Sequence, residues 1–223
     1  HGCQTLLDVG CATGNFYRFF LKVWPSLKYQ GIDISDPAIQ HAKKLYPKGS
    51  FKVFDGNLES LSDAASDIVF CRDVVVHQLD PYPYLSDLYD ITNRYLILRL
   101  RTREDGATVL DASLSCQYVY GHWVPLLVFD TSELVNLICS FKPSPVRILL
   151  RRHPVILGGH SSRFLPKELY YAETGTAATA VLIEKGPETK NADTIVTTEI
   201  CPEMPVRTWW ARWLRKLALK WGI

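Results

Sequence analysis

The sequence lacks the cysteine spacing of a zinc site or of a disulfide framework. Its six cysteines (Cys3, Cys11, Cys71, Cys116, Cys139 and Cys201) lie far apart, and none belongs to a CxxC pair. Closely spaced cysteines are typical of zinc sites and of small disulfide-stapled secreted domains. Their absence favours a reducing compartment, so we expect a cytoplasmic protein.

Long apolar runs and a basic stripe are also missing. No run is long enough to span a bilayer, and no signal peptide is visible. The chain opens His1-Gly2-Cys3 without a methionine, so we expect residues upstream of it. The formal net charge is +2, but five cations and no acid lie in residues 206–223, which leaves the rest mildly acidic. This charge distribution disfavours DNA or RNA as the main partner, because phosphate neutralisation needs clustered bases.

Short β-rich runs alternate with helical patterns through the first hundred residues. The predicted strands are Thr5–Val9, Lys28–Ile34, Ser50–Phe54, Asp67–Asp73 and Arg94–Leu100, with two more at Val146–Leu157 and Thr176–Lys185. Strands that alternate with helices predict a mostly parallel sheet with helices on both faces. We therefore expect an α/β domain over residues 1–186, followed by a polar linker over 187–205 and a helix over 206–223.

The stretch LLDVGCATGNF, Leu6–Phe16, joins the first strand to the first helix. Gly10 and Gly14 lack a Cβ, so a ligand can approach the backbone there. Ligands of open α/β sheets lie outside the carboxyl ends of the strands, where a helix N-terminus favours negative groups. The dinucleotide pattern GxGxxG is a poor match, because Ala12 and Asn15 occupy its second and third glycine positions.

Four motifs in order resemble the class I S-adenosylmethionine-dependent methyltransferases. They are DVGCATG (Asp8–Gly14), GIDIS (Gly31–Ser35), DGNLESL (Asp55–Leu61) and SDIVFCRDVVVHQLDP (Ser66–Pro81). The resemblance covers about Leu6 to Leu100. It implies a Rossmann-like, doubly wound, seven-stranded sheet, mostly parallel with an antiparallel last strand. It also implies S-adenosyl-L-methionine as the cofactor and a small or amphipathic molecule as the methyl acceptor.

The resemblance assigns roles to individual residues. The first loop would cradle the methionine part of the cofactor, Asp33 would take the two ribose hydroxyls, and Asn57 would meet the adenine edge. Ala12 stands where the family often has glycine, and Asn57 where aspartate is usual. The full set of expected cofactor contacts is Asp8, Gly10, Cys11, Ala12, Thr13, Gly14, Asp33, Ile34, Asn57, Leu58, Cys71 and Arg72.

The sequence defines the binding site of the methyl acceptor less closely than the cofactor site. We expect His77 to act as a general base, with a buried, hydrogen-bonded structural histidine as the alternative. The expected acceptor contacts are Tyr118, Tyr120, His122 and Trp123, which are equally consistent with the packed face of a hairpin. We expect no metal, because LRLRTRED supplies cations before any acid. A non-catalytic module that binds the cofactor on the same fold remains a second hypothesis.

The last eighteen residues, 206–223, form an amphipathic pattern at helical spacing. One face of this predicted helix is apolar and the opposite face is basic; the apolar positions are Val206, Trp210, Trp213, Leu214, Leu217 and Trp221. Such a helix either docks on its own domain or lies on the surface of an anionic membrane. The second interpretation predicts peripheral membrane contact.

Overall fold

The computed structural model describes residues 2–119, 121–170, 175–187 and 193–201. A twisted sheet of nine strands forms the centre of this part of the chain. A second, three-stranded sheet lies beside it. The strands are β1 Thr5–Val9, β2 Lys28–Asp33, β3 Ser50–Val53, β4 Ser66–Arg72, β5 Thr92–Arg103, β6 Cys116–Val119, β7 His122–Pro125, β8 Phe129–Asp130, β9 Pro145–Pro154, β10 Arg163–Phe164, β11 Ala177–Lys185 and β12 Ile195–Ile200.

The strand order places β1 in the middle of the large sheet. The order is β3-β2-β1-β4-β5-β11-β9-β12, with β8 paired to the end of β5. β11 runs antiparallel to both of its neighbours, whereas the other pairs in this sheet are parallel. The prediction of a mostly parallel α/β sheet is thus confirmed for the described residues, but the count of seven strands is too low.

One of the two additional strands, β12, lies in the segment that we expected to be a linker. Ile195–Ile200 pairs in parallel with Arg147–Arg152 of β9. All six residues of β12 are exposed, so backbone hydrogen bonds to β9 hold the strand rather than apolar burial. The six residues IVTTEI are mostly β-branched, but polar residues and prolines flank them and give the whole segment the composition of a linker. The prediction of 187–205 as a linker is therefore wrong for these six residues.

Helices cover the two faces of the sheet. The α-helices are α1 Tyr17–Val23, α2 Asp36–Leu45, α3 Pro81–Asp90 and α4 Thr131–Cys139. Successive side chains of a strand point to opposite faces, and Leu6 packs in the cluster with α1 and α2 while Leu7 packs in the cluster with α3 and α4. The core therefore has two apolar layers, one on each side of the sheet.

The three-stranded sheet lies next to the carboxyl end of β4. Its order is β10-β6-β7. A 3-10 helix at Val75–His77 follows β4, and the backbone N–H of Leu127, just after β7, donates to the Val76 carbonyl at 2.8 Å. This contact holds the β6–β7 hairpin over the edge of the large sheet where ligands of α/β proteins bind.

Two predictions concern residues outside the described part of the chain. They are the acceptor contact Tyr120 and the amphipathic helix over 206–223. In the part of the chain that the structure describes, no helix combines the length and apolar character needed to cross a membrane.

Candidate functional site

The loop after β1 is held against the end of β2 by backbone hydrogen bonds. Gly10 N and Cys11 N both donate to the Ile32 carbonyl, at 2.8 and 3.0 Å. Gly10, Ala12 and Gly14 have φ angles of +77°, +47° and +77°. Ala12 therefore adopts the left-handed conformation with a Cβ present, at a cost of about 1 kcal/mol. The loop is a compact turn that presents main chain at the sheet edge.

Asp33, the last residue of β2, connects the two predicted cofactor motifs. Its Oδ2 accepts from Ala12 N at 2.8 Å and its Oδ1 accepts from Ser35 N at 2.9 Å. A carboxylate oxygen has two lone pairs, so each of these atoms can accept one further hydrogen bond. The following residue, Ile34, is 73% exposed and offers an apolar surface beside the carboxylate. This arrangement suits a ligand with two adjacent hydroxyls and a flat apolar part.

Asp8 lies beneath the loop and is almost fully buried. The Tyr29 hydroxyl donates to its Oδ2 at 2.5 Å. Burial, only partly offset by the Tyr29 hydrogen bond, raises the pKa of Asp8 to about 7. The Asp8 side chain is 2% exposed, so it supports the loop from within.

We expect Asp8 to make the free energy of unfolding depend on pH. The ordinary pKa of 3.8 is raised in the folded state to about 7, so the folded chain keeps a proton that the unfolded chain releases in this window. Stability from this group therefore falls as pH rises from about 4 to about 7. Relative to wild type, Asp8→Asn should gain up to about 4 kcal/mol between pH 4 and pH 8.

Urea unfolding of both proteins at several pH values measures this difference. The two stability curves should diverge as the pH rises through the window. Curves that stay parallel from pH 4 to pH 8 would contradict the assignment of the titration to Asp8.

After β3, the structure makes Asn57 a weaker candidate for a cofactor contact and Asp55 a stronger one. Asn57 Oδ1 accepts from Glu59 N at 3.0 Å and so caps a 3-10 helix at Leu58–Ala64. Leu58 is buried, whereas Asp55 is exposed and uses Oδ1 to accept from Asn57 N at 2.9 Å. Asp55 was not among the predicted site residues, although an acid at the carboxyl end of a strand is the same signal that pointed to Asp33.

The two predicted cofactor contacts at the end of β4, Cys71 and Arg72, lie in different environments. Cys71 is 0% exposed and packs in the core with α3, and burial raises the pKa of its thiol above the ordinary range. Cys71 therefore offers no accessible atom to a ligand, which corrects its assignment as a cofactor contact. Cys11 is likewise packed inward, with its thiol against Gly31. By contrast, the exposed Arg72 places its guanidinium 5.0 Å from the centre of the Phe16 ring, beside the first loop.

His77 and the hairpin are in direct contact. His77 Nδ1 lies 2.6 Å from the Pro125 carbonyl of β7. A carbonyl only accepts, so Nδ1 donates and Nε2 of a neutral ring is left as the acceptor. The rings of Tyr118 and Trp123 are cross-strand partners 5.5 Å apart, and His122 is exposed at the turn. The aromatic residues therefore form a hairpin face, and their contact with an acceptor stays a prediction.

A family model described as a methyltransferase domain matches residues 7–94. This match confirms the resemblance drawn from the sequence, over nearly the same residues.

Among the described residues, no three His, Cys, Asp or Glu side chains form a group suited to a metal ion.

Similar solved structures share the fold at low sequence identity. The O-methyltransferase of a trans-AT PKS multienzyme of Brevibacillus brevis, in complex with S-adenosyl-L-homocysteine, has a TM-score of 0.56 at 13% identity over 85% of this chain and 69% of its own. A putative sarcosine dimethylglycine methyltransferase from Galdieria sulphuraria has a TM-score of 0.57 at 15% identity, over 86% and 80%. The N-terminal domain of EvdMO1, in the presence of SAH and D-fucose, has a TM-score of 0.55 at 14% identity, over 83% and 77%.

Proposed function

We propose that this chain, with a methyltransferase domain at residues 7–94, transfers a methyl group from S-adenosylmethionine to a small or amphipathic acceptor. The observation that carries the proposal is the Asp33 carboxylate, bonded to the loop backbone at Ala12 N and still able to accept. The S-adenosylhomocysteine present in similar structures supports the choice of cofactor.

The cofactor would be held by groups at the carboxyl ends of three adjacent strands. The loop at residues 10–14 supplies main chain, and Asp33 accepts from the ribose hydroxyls. Asp55 Oδ2 is the acceptor for an adenine amino group, because Asn57 uses its side-chain oxygen as a helix cap. Phe54 N donates to the Asp33 carbonyl at 2.9 Å, which ties the two acids to one edge.

Chemistry at this site needs few protein groups. When bound, the cofactor supplies an electrophilic methyl group. The chain has to align the acceptor, exclude water and receive a proton from a hydroxyl or amine acceptor. His77 is placed for the last task, since the Pro125 carbonyl holds Nδ1 as the donor and leaves Nε2 to take a proton. The hairpin above His77 provides cover from solvent.

Calorimetry tests the cofactor assignment. We expect one molecule of S-adenosylhomocysteine to bind per folded chain, with NAD failing to bind, because GxGxxG is absent and the loop matches the methyltransferase motif. Far-ultraviolet circular dichroism shows that the chain used is folded. Binding of NAD without binding of S-adenosylhomocysteine would reverse the assignment.

A further inference from the structure

A cavity of about 200 Å³ with three arginines in its wall lies between the large sheet and the three-stranded sheet. Arg99 and Arg101 come from β5, and Arg163 comes from β10. The remaining wall is apolar and consists of residues 155–157 and Ala178. The large sheet thus contributes two cations and the three-stranded sheet one to the same solvent-open cavity.

Among the residues that the structure describes, the positive charge at this cavity exceeds the negative charge that contacts it. Asp73 pairs with Arg99 at 2.5 Å, with Arg101 at 3.0 Å and with Arg72 at 3.3 Å. One carboxylate therefore serves three guanidiniums. Arg163 adds a fourth guanidinium, and one of its terminal nitrogens donates to the neutral Leu157 carbonyl at 3.2 Å. The cluster carries a net positive charge.

Two of the three cavity arginines, Arg101 and Arg163, are partly withdrawn from solvent, whereas the Arg99 side chain is 33% exposed. This burial strengthens the effect of the excess positive charge. The Arg101 side chain is 12% exposed, and Arg163 Nε is buried without a hydrogen-bond partner. Burial lowers the pKa of both guanidiniums, and the charges of Arg99 and Arg163 lower that of Arg101 further. Charge pairs in such a setting are screened less by salt than pairs on the surface. An added anion would relieve the repulsion.

The cavity is close to the loop that we assign to the cofactor. β1, β4, β5 and β11 are consecutive neighbours in the sheet, and Arg72 is paired in register with Arg99. Neighbouring strands lie about 4.8 Å apart, so β5 is about 10 Å from β1, which carries the loop. A small molecule can span this distance.

We propose that this cavity binds the carboxylate or phosphate group of the methyl acceptor, with the acceptor's apolar part against residues 155–157. Guanidinium groups match both anions because their N–H donors form paired hydrogen bonds to oxyanions. Ile156 is 67% exposed at the wall, which suits an acceptor that is amphipathic. The proposal rests on the methyltransferase function and specifies its substrate as an anion.

Three probes with the same tail and different head groups test the proposal. Octanoate, octyl phosphate and octanamide are titrated separately into the full chain saturated with S-adenosylhomocysteine. We expect at least one of the two anions to bind tenfold or more tightly than the neutral amide, and the tighter anion identifies the head group. Equal binding of all three, or no binding of either anion, would overturn the proposal.

Arginine variants locate the binding to the cavity. Arg163→Gln and Arg101→Gln should each reduce the preference for the anion at least tenfold, and Arg101→Lys should retain part of it if the glutamine variant is unstable. Arg151→Gln is the matched control, because Arg151 is an exposed arginine of β9 that pairs with Glu199. An equal loss in Arg151→Gln, or no loss in the two cavity variants, would overturn the assignment to this cavity.

The affinity for S-adenosylhomocysteine distinguishes a failure of the proposed anion site from a failure of the proposed methyltransferase function. It should be unchanged in the Arg163→Gln variant, since Arg163 belongs to β10 of the three-stranded sheet, whereas the proposed cofactor groups lie at the ends of β1, β2 and β3 of the large sheet. If S-adenosylhomocysteine binds and neither anion does, the anion site is wrong and the methyltransferase function stands. If an anion binds and S-adenosylhomocysteine does not, the identification of that anion with a methyl acceptor is overturned.

Discussion

Replacement of Asp33 by alanine should weaken S-adenosylhomocysteine binding by about a hundredfold or more. A hydrogen bond to a charged group contributes about 1.5–3 kcal/mol, and Asp33 is placed to accept two from a ribose. The same change also removes the anchor of Ala12 N, which is 2.8 Å from Oδ2. Loss of the anchor should loosen the loop and add to the effect. Calorimetric titration of the variant measures the change.

Two further variants separate the ligand contact from the structural role of Asp33. Asp33→Asn keeps the size and one acceptor oxygen, so we expect a smaller loss of about tenfold. Asp36→Ala is the matched control, because Asp36 is an exposed acid in the first turn of α2 that accepts from Gln40. The Asp36→Ala variant should bind S-adenosylhomocysteine with the affinity of the wild type. An Asp33→Ala chain that is folded and binds with unchanged affinity would remove Asp33 from the site.

Replacement of Gly10 by alanine should destabilise the chain by about 2–4 kcal/mol and abolish cofactor binding. A methyl group on Gly10 would lie 2.2 Å from Cγ2 of Val74, and the φ angle of +77° is unfavourable for any side chain. The left-handed conformation costs about 1 kcal/mol and overpacking typically adds 1–3 kcal/mol. Relief of the clash would move the loop away from the position required by the ligand. Urea unfolding and calorimetry measure the two effects.

The chain offers a control for each part of the Gly10 effect. Gly121 has a φ angle of +86° with no atom within 4 Å of an added methyl, so Gly121→Ala should cost only about 1 kcal/mol. Adding Val74→Ala to Gly10→Ala removes the clashing atom and should recover part of the stability, measured against Val74→Ala alone. If Gly10→Ala is no more destabilising than Gly121→Ala, the close packing of the loop against Val74 is not the cause.

The places of Gly10, Gly14 and Asp33 in the fold could be predicted because their signals are local. Gly10 and Gly14 follow an apolar strand directly, and Asp33 ends the next strand, so the position of each in the fold is determined by its neighbours in the chain. From the sequence we named only Asn57 as the adenine contact, and the proposal of Asp55 depends on which side chain caps the short helix that follows. The backbone geometry after β3 decides which side chain caps this helix, and the order of residue types does not reveal that geometry.

The burial of Cys71 and the strand at Ile195–Ile200 show a second limit. Cys71 and Arg72 are adjacent in sequence, and only the direction in which β4 presents each side chain decides that one is in the core and the other is exposed. β12 forms because the edge of β9 is available to it, and β9 is some forty residues earlier in the chain. Neither outcome is a property of the segment itself.

The sequence by itself determined the class of fold, the place of the first loop and the acid that ends β2, since alternating strands and helices and the turn glycines are encoded within a few residues. Only the tertiary structure decided that Arg99, Arg101 and Arg163 share a cavity, because they are up to 64 positions apart and come from two different sheets. The physical reason is that strand order and the packing of one sheet over another are set by long-range contacts. Side chains that are remote in sequence can then form one charged site.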